Sequence, residues 1–225
     1  MTKTTRRAFG RSTKTPLLQA VPHALPAENA VRELKMAFNA VMELGTALLW
    51  ARPSSALAPL APLTPEGAFR LYRTASALYR NQHLPSSELW ARACQHYATA
   101  LWHEAKLDWL EGPNCPRDLL ELPNAEVEFH LHESPEEIRD LLDDLIGRPP
   151  ITSLAPGTPG IYAFEWIPLI LERAKIHLEN TSHGVIKNLK YCEAVKASGE
   201  WARCAEELMS AFLTQRASVT TPMSA

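Results

Sequence analysis

The chain has 225 residues, 46% of them apolar, and a formal net charge of -2. That excludes a wholly disordered chain and suits one sizeable core or two small ones. Charge is uneven: residues 1–14 hold Lys3, Arg6, Arg7, Arg11 and Lys14 and no acid, leaving 18 bases against 25 acids, a net of -7, in the remainder. An acidic body argues against a broad nucleic-acid-binding face, and the absence of any run of 18 apolar residues predicts no membrane span.

Residues 1–27 are basic, Thr-rich and punctuated by Pro16, Pro22 and Pro26, the pattern of a disordered tail. Arg6 and Arg7 make this tail the one expected route to nucleic acid or to an acidic partner. Being Arg-rich and acid-free, it also leaves organelle targeting or export open beside the cytoplasmic location otherwise expected. Residues 28–147 read as a helical domain. Its first helix is predicted over Glu28–Trp50, with Val31, Leu34, Phe38, Val41, Gly45 and Leu48 on one face. Gly45 on that stripe implies close approach of a neighbour. After a Pro-studded loop, Thr64 and Pro65 start a second helix whose inward face is expected from Phe69, Tyr72, Leu78 and Tyr79. A third helix is predicted from about Ser87 to Leu110, ended by Gly112 and Pro113. It is apolar on two sides: Trp90, Cys94, Tyr97 and Leu101 form one stripe, Trp102 and Trp109 lie on another, which suits a bundle centre or a partner interface.

The middle of the chain changes character. "CPRDLLELPN" reads as a short helical turn, and the alternation of "AEVEFHLHE" predicts a strand near 126–132. "SPEEIRDLLDDLIG" is a helix with Ser134 as cap, Pro135 first and Glu137 completing a capping box. Residues 148–160 form a Pro/Gly linker, and residues 161–216 are expected to be helices packing on the same bundle. There Pro168 marks the first turn of a helix or kinks it. A further helix covers Val185–Lys196, and Ser198 with Gly199 breaks the pattern. The last helix carries Trp201, Cys204, Ala205, Leu208, Ala211 and Phe212 on one face, before a frayed tail at 217–225. The fold class is therefore mainly α, an irregular bundle of six or seven helices with one short strand and no internal repeat.

Candidate chemistry is sparse. On the alternating stretch, Glu128, His130 and His132 share one face and could begin a metal site, but no further ligand stands at a diagnostic spacing, and a solvated strand face is the plainer reading. His96 and His103, almost two helical turns apart, point the same way. They sit on what reads as the third helix's polar stripe, and become an acid–base pair only if a pocket surrounds them. His177, His183, Cys192 and Cys204 match no zinc spacing. Nucleophile-elbow and phosphate-loop motifs are absent, so no cofactor is expected. The four Cys lack a CxxC spacing and suit free thiols.

These features favour a protein-interaction module, an adaptor, assembly factor or regulatory subunit rather than an enzyme, binding another protein or a second copy of itself. Trp102 and Trp109, the acidic face of Glu136, Glu137 and Asp140, and the Arg6–Arg7 pair are its expected contact points. The alternative is an enzyme or ligand binder with a His-lined pocket. A nucleic-acid-associated factor working through the basic tail is the third reading. Convergent His residues and carboxylates in a concave pocket would favour the second; dispersed His and an exposed aromatic patch would favour the first.

Overall fold

A computed structural model describes residues 26–47, 63–112, 115, 131–149, 151, 154–182 and 189–220. Six helices stand in this order: α1 Pro26–Ala47, α2 Pro65–Arg80, α3 Leu84–Glu111, α4 Pro135–Gly147, α5 Trp166–Ser182 and α6 Leu189–Thr220, with one 3-10 turn at Ile161–Ala163. The protein is an all-helical irregular bundle, with no strand among the described residues. Of the predicted strand, Leu131 and His132 form coil and a bend; Glu128 and His130 lie outside the described residues, as do residues 1–25 and the "CPRDLLELPN" stretch after Cys115.

The middle helix α3 is the one around which the others gather. It packs against α1, α2 and α6, while α5 and α4 pack on α6. The predicted stripe of Trp90, Cys94, Tyr97 and Leu101 is buried, and so is the whole α6 stripe from Trp201 to Phe212. The two stripes meet through edge-to-face aromatic pairs, Tyr97 on Trp201 with centroids 5.0 Å apart and Trp90 on Phe212 at 5.5 Å. Such pairs add about 0.5–1.5 kcal/mol each beyond their buried area. One continuous core holds side chains from all six helices.

Several local predictions hold. Ser134 and Glu137 form the reciprocal capping box, and Pro168 falls in the first turn of α5. All four cysteines are free thiols; Cys94 donates to the Ala68 carbonyl, and burial pushes its pKa up to about 12. No described helix is long and apolar enough to cross a membrane.

Other predictions are corrected by packing. The third helix starts at Leu84, not Ser87, because Ser87 is needed inside: it is fully buried and donates to the Ala75 carbonyl of α2. α2 turns its small residues inward. Gly67, Ala68, Leu71, Ala75 and Leu78 are buried, whereas the expected Phe69 is exposed. The reason is Tyr97, whose hydroxyl donates to the Thr64 carbonyl and lies where a Gly67 Cβ would be. Ser198 and Gly199 do not break the C-terminal helix; α6 runs through them. Ser198 is a buried donor to the Ala174 carbonyl of α5. A Cβ on Gly199 would meet Glu133 Oε2 at 3.0 Å and Ile138 Cδ1 at 3.3 Å, so the glycine admits α4 and the segment just before it. Among the described residues nothing lies within 4 Å of a Cβ built on Gly45, so none of them uses the close approach this glycine permits.

The two glycines therefore predict opposite effects. Gly67→Ala would place its Cβ 2.3 Å from the Tyr97 hydroxyl and should cost about 1–3 kcal/mol of stability, the usual penalty of overpacking. Gly45→Ala should stabilise by up to about 0.5–1 kcal/mol through helix propensity. Urea denaturation midpoints of the two variants check both signs.

Candidate functional site

Two polar constellations lie along α3. The deeper one is built on Glu104, a carboxylate with about one-twentieth of its surface exposed. Its Oε1 accepts from Arg173 Nε at 2.6 Å, His177 Nε2 at 2.7 Å and Trp201 Nε1 at 2.7 Å. Arg173 Nη2 donates to Oε2, completing a bidentate pair. Arg173 Nη1 also reaches the Leu63 carbonyl at 3.3 Å. Burial pushes the Glu104 pKa up, but the His177 hydrogen bond and the Arg173 and His177 charges outweigh it, so the group lies below its ordinary 4.5. Every member is spoken for by protein partners, and the cluster reads as a structural tie between α3, α5 and α6.

The second constellation follows the α3/α6 seam. The helices run antiparallel, so residues seven apart on one meet residues seven apart on the other. His103 Nδ1 lies 2.5 Å from Glu193 Oε2, and His96 Nδ1 lies 2.8 Å from Glu200 Oε2. One step further, Arg92 forms an ion pair with Glu207 at 3.3 Å, too poorly aligned for a hydrogen bond. Burial pushes the Glu193 pKa up, yet the hydrogen bond from His103 and the charges of His103, Lys106 and Lys196 leave it below 4.5. Glu207 moves the other way, raised chiefly by burial.

His96 and His103 line a cleft of about 480 Å³ at this seam. α3 contributes them together with Thr99; α6 contributes Lys196, Glu200 and Arg203; the segment before α4 contributes His132 and Glu133. Arg203 pairs with Glu133 across the rim, and the notch at Gly199 brings that segment close. A carboxylate at Nδ1 selects the imidazole tautomer that leaves Nε2 as the free acceptor, the arrangement by which histidines are set for proton exchange or ligand binding.

The predicted site residues thus divide. His96, His103 and His132 line one cleft, and the polar stripe of His96 and His103 is a partly buried, hydrogen-bonded seam. Glu128 and His130 lie outside the described residues, and among the described residues no group of three or more His, Cys, Asp or Glu is arranged to hold a metal. Trp102 is half-buried under Lys106, whose Nζ sits 3.7 Å from the ring centroid, and Trp109 is exposed. Glu136, Glu137 and Asp140 form the solvated face of α4, whose Ile138, Leu142 and Leu145 are buried. Arg6 and Arg7 lie outside the described residues. His177 serves Glu104, and Cys204 is buried in the core. Sequence reasoning missed Glu193 and Glu200, although their seven-residue spacing matches that of His103 and His96 and was there to be noticed. The chain matches no protein-family model, no curated protein and no solved structure.

Both Glu104 and Glu193 are depressed carboxyls. Their stabilising effect is full above the ordinary value of 4.5 and is lost as pH falls through the lower folded values. Urea midpoints should fall as pH is lowered below 4.5, with a shallower drop in Glu193→Gln. Glu104→Gln leaves Arg173 buried without its counter-charge and should cost about 3–5 kcal/mol at pH 7.

Proposed function

We propose that this protein binds a small polar ligand in the α3/α6 cleft and exchanges protons with it through His96 and His103. The observation that carries this reading is that both imidazoles, each backed by its own carboxylate, line the same cleft. Thr99 and His132 add hydroxyl and imidazole groups, and Lys196 and Arg203 balance Glu133 and Glu200 in formal charge. A lining with equal numbers of both signs suits a zwitterionic or hydroxyl-bearing molecule better than a strongly charged one.

Saturation-transfer NMR with a panel of amino acids, monosaccharides and dicarboxylates tests this. At least one class should give a signal that His96→Ala and His132→Ala remove while far-UV circular dichroism is unchanged. No signal from any class, or a signal that both variants retain, contradicts the proposal.

A second reading, the interaction module favoured by the sequence, draws support from Phe38 and Met42 on α1 and Phe69 on α2, exposed by 48%, 57% and 52%. Phe38 meets Tyr72 across the two helices with centroids 5.9 Å apart, so the exposed groups border one seam. If a second copy covers them, sedimentation should show a dimer that Phe38→Ser with Phe69→Ser converts to monomer; a monomeric parent protein rejects self-association there.

A further inference from the structure

A different face of the bundle carries an arrangement unrelated to the cleft. α2 presents Arg70, Arg73 and Thr74 toward the turn at Pro159–Tyr162, and together they line a hollow of about 360 Å³. The Arg70 guanidinium lies over the Tyr162 ring, 4.1 Å from its centroid, and 5.4 Å from that of Trp166. Thr74 Oγ1 and the Tyr162 hydroxyl are 2.9 Å apart. Arg73 lines the same hollow as Arg70 and Tyr162. Ala77, one turn beyond Arg73, leaves the floor open.

The turn that supplies Tyr162 is fixed. Gly160 has φ +76°, and a Cβ there would meet the buried Trp90 ring at 2.2 Å, so the backbone is pressed against the core. The guanidiniums themselves have no carboxylate in ion-pair range among the described residues. In an acidic body, α2 carries Arg70, Arg73 and Arg80 with Glu66 as its one acid. Stacking on an aromatic face orients a guanidinium while leaving its N–H edge available, and that edge matches two oxygens of a phosphate. The Thr74 hydroxyl is held by the Arg70 carbonyl at 3.2 Å and by Tyr162, so the donors are the two guanidinium edges, more than a single carboxylate can use.

The geometry points to a site for a phosphate group, inorganic or carried as a small phosphomonoester, held by Arg70 and Arg73 with the Thr74 and Tyr162 hydroxyls beside it. The phosphate contributes only acceptors; no bond is made or broken. Binding follows the dianion, so it strengthens as pH rises through the second phosphate ionisation, near 6–7.

The test is a titration of the full chain followed through the arginine Nε–H resonances, at matched ionic strength, with sodium phosphate, phosphoethanolamine, sodium chloride and a short single-stranded oligonucleotide. The Arg70 and Arg73 signals should move saturably with phosphate and phosphoethanolamine and not with chloride. Arg73→Gln should weaken that binding at least tenfold while keeping the wild-type far-UV spectrum and thermal midpoint in chloride. Tighter binding of phosphoethanolamine than of phosphate assigns the site to a phosphomonoester, and the reverse to the free ion. No saturable shift, a shift undiminished in Arg73→Gln, or saturation by the oligonucleotide alone overturns the proposal.

Discussion

A carboxylate removed from water must be met by donors, and in this protein those donors arrive from two other helices. Glu104 of α3 draws the fork of Arg173 and the imidazole of His177 from α5, and the indole of Trp201 from α6. Arg173 then reaches the backbone just before α2. Hydrophobic burial alone would tolerate some sliding and rotation of these amphipathic helices. The charge cluster does not, because any shift leaves a buried ion short of a partner, at a cost of several kcal/mol. It therefore acts as a register pin more than as a net source of stability.

With the register held, the α3/α6 seam acquires its spacing. The Tyr97–Trp201 and Trp90–Phe212 pairs fill the apolar side. On the other side the seven-residue steps of His96 and His103 fall opposite Glu200 and Glu193. The cleft is thus a consequence of a core decision made at the next residue along each helix, Glu104 after His103 and Trp201 after Glu200. Gly199 completes it by letting the segment before α4 close one wall, with Arg203 and Glu133 as the clasp.

How much of this was legible depended on whether the cause was local. The Ser134–Glu137 capping box and the apolar stripes of α3 and α6 depend on residues a turn or two apart, and these were readable. Ser198 and Gly199 looked like a break because they are poor helix formers; their role is to admit α5 and α4, which no local pattern records. The inward face of α2 was misjudged for the same reason, since the Tyr97 hydroxyl that demands Gly67 comes from another helix. Glu104 was invisible as a hub: it follows His103 in an ordinary-looking polar stretch, and its partners lie 69, 73 and 97 residues away. His96 and His103 were noticed as a pair, but Glu200 and Glu193, the carboxylates that hold them, sit about a hundred residues further along the chain.

The central claim is that the seam holds His96 and His103 by Nδ1 against carboxylates. Nitrogen-15 spectra of histidine-labelled protein read the tautomer of each neutral ring directly. The account predicts that both rings carry their proton on Nδ1, against the preference of free histidine for Nε2. Rings protonated on Nε2, with Nδ1 bare, would contradict the seam and the cleft function built on it.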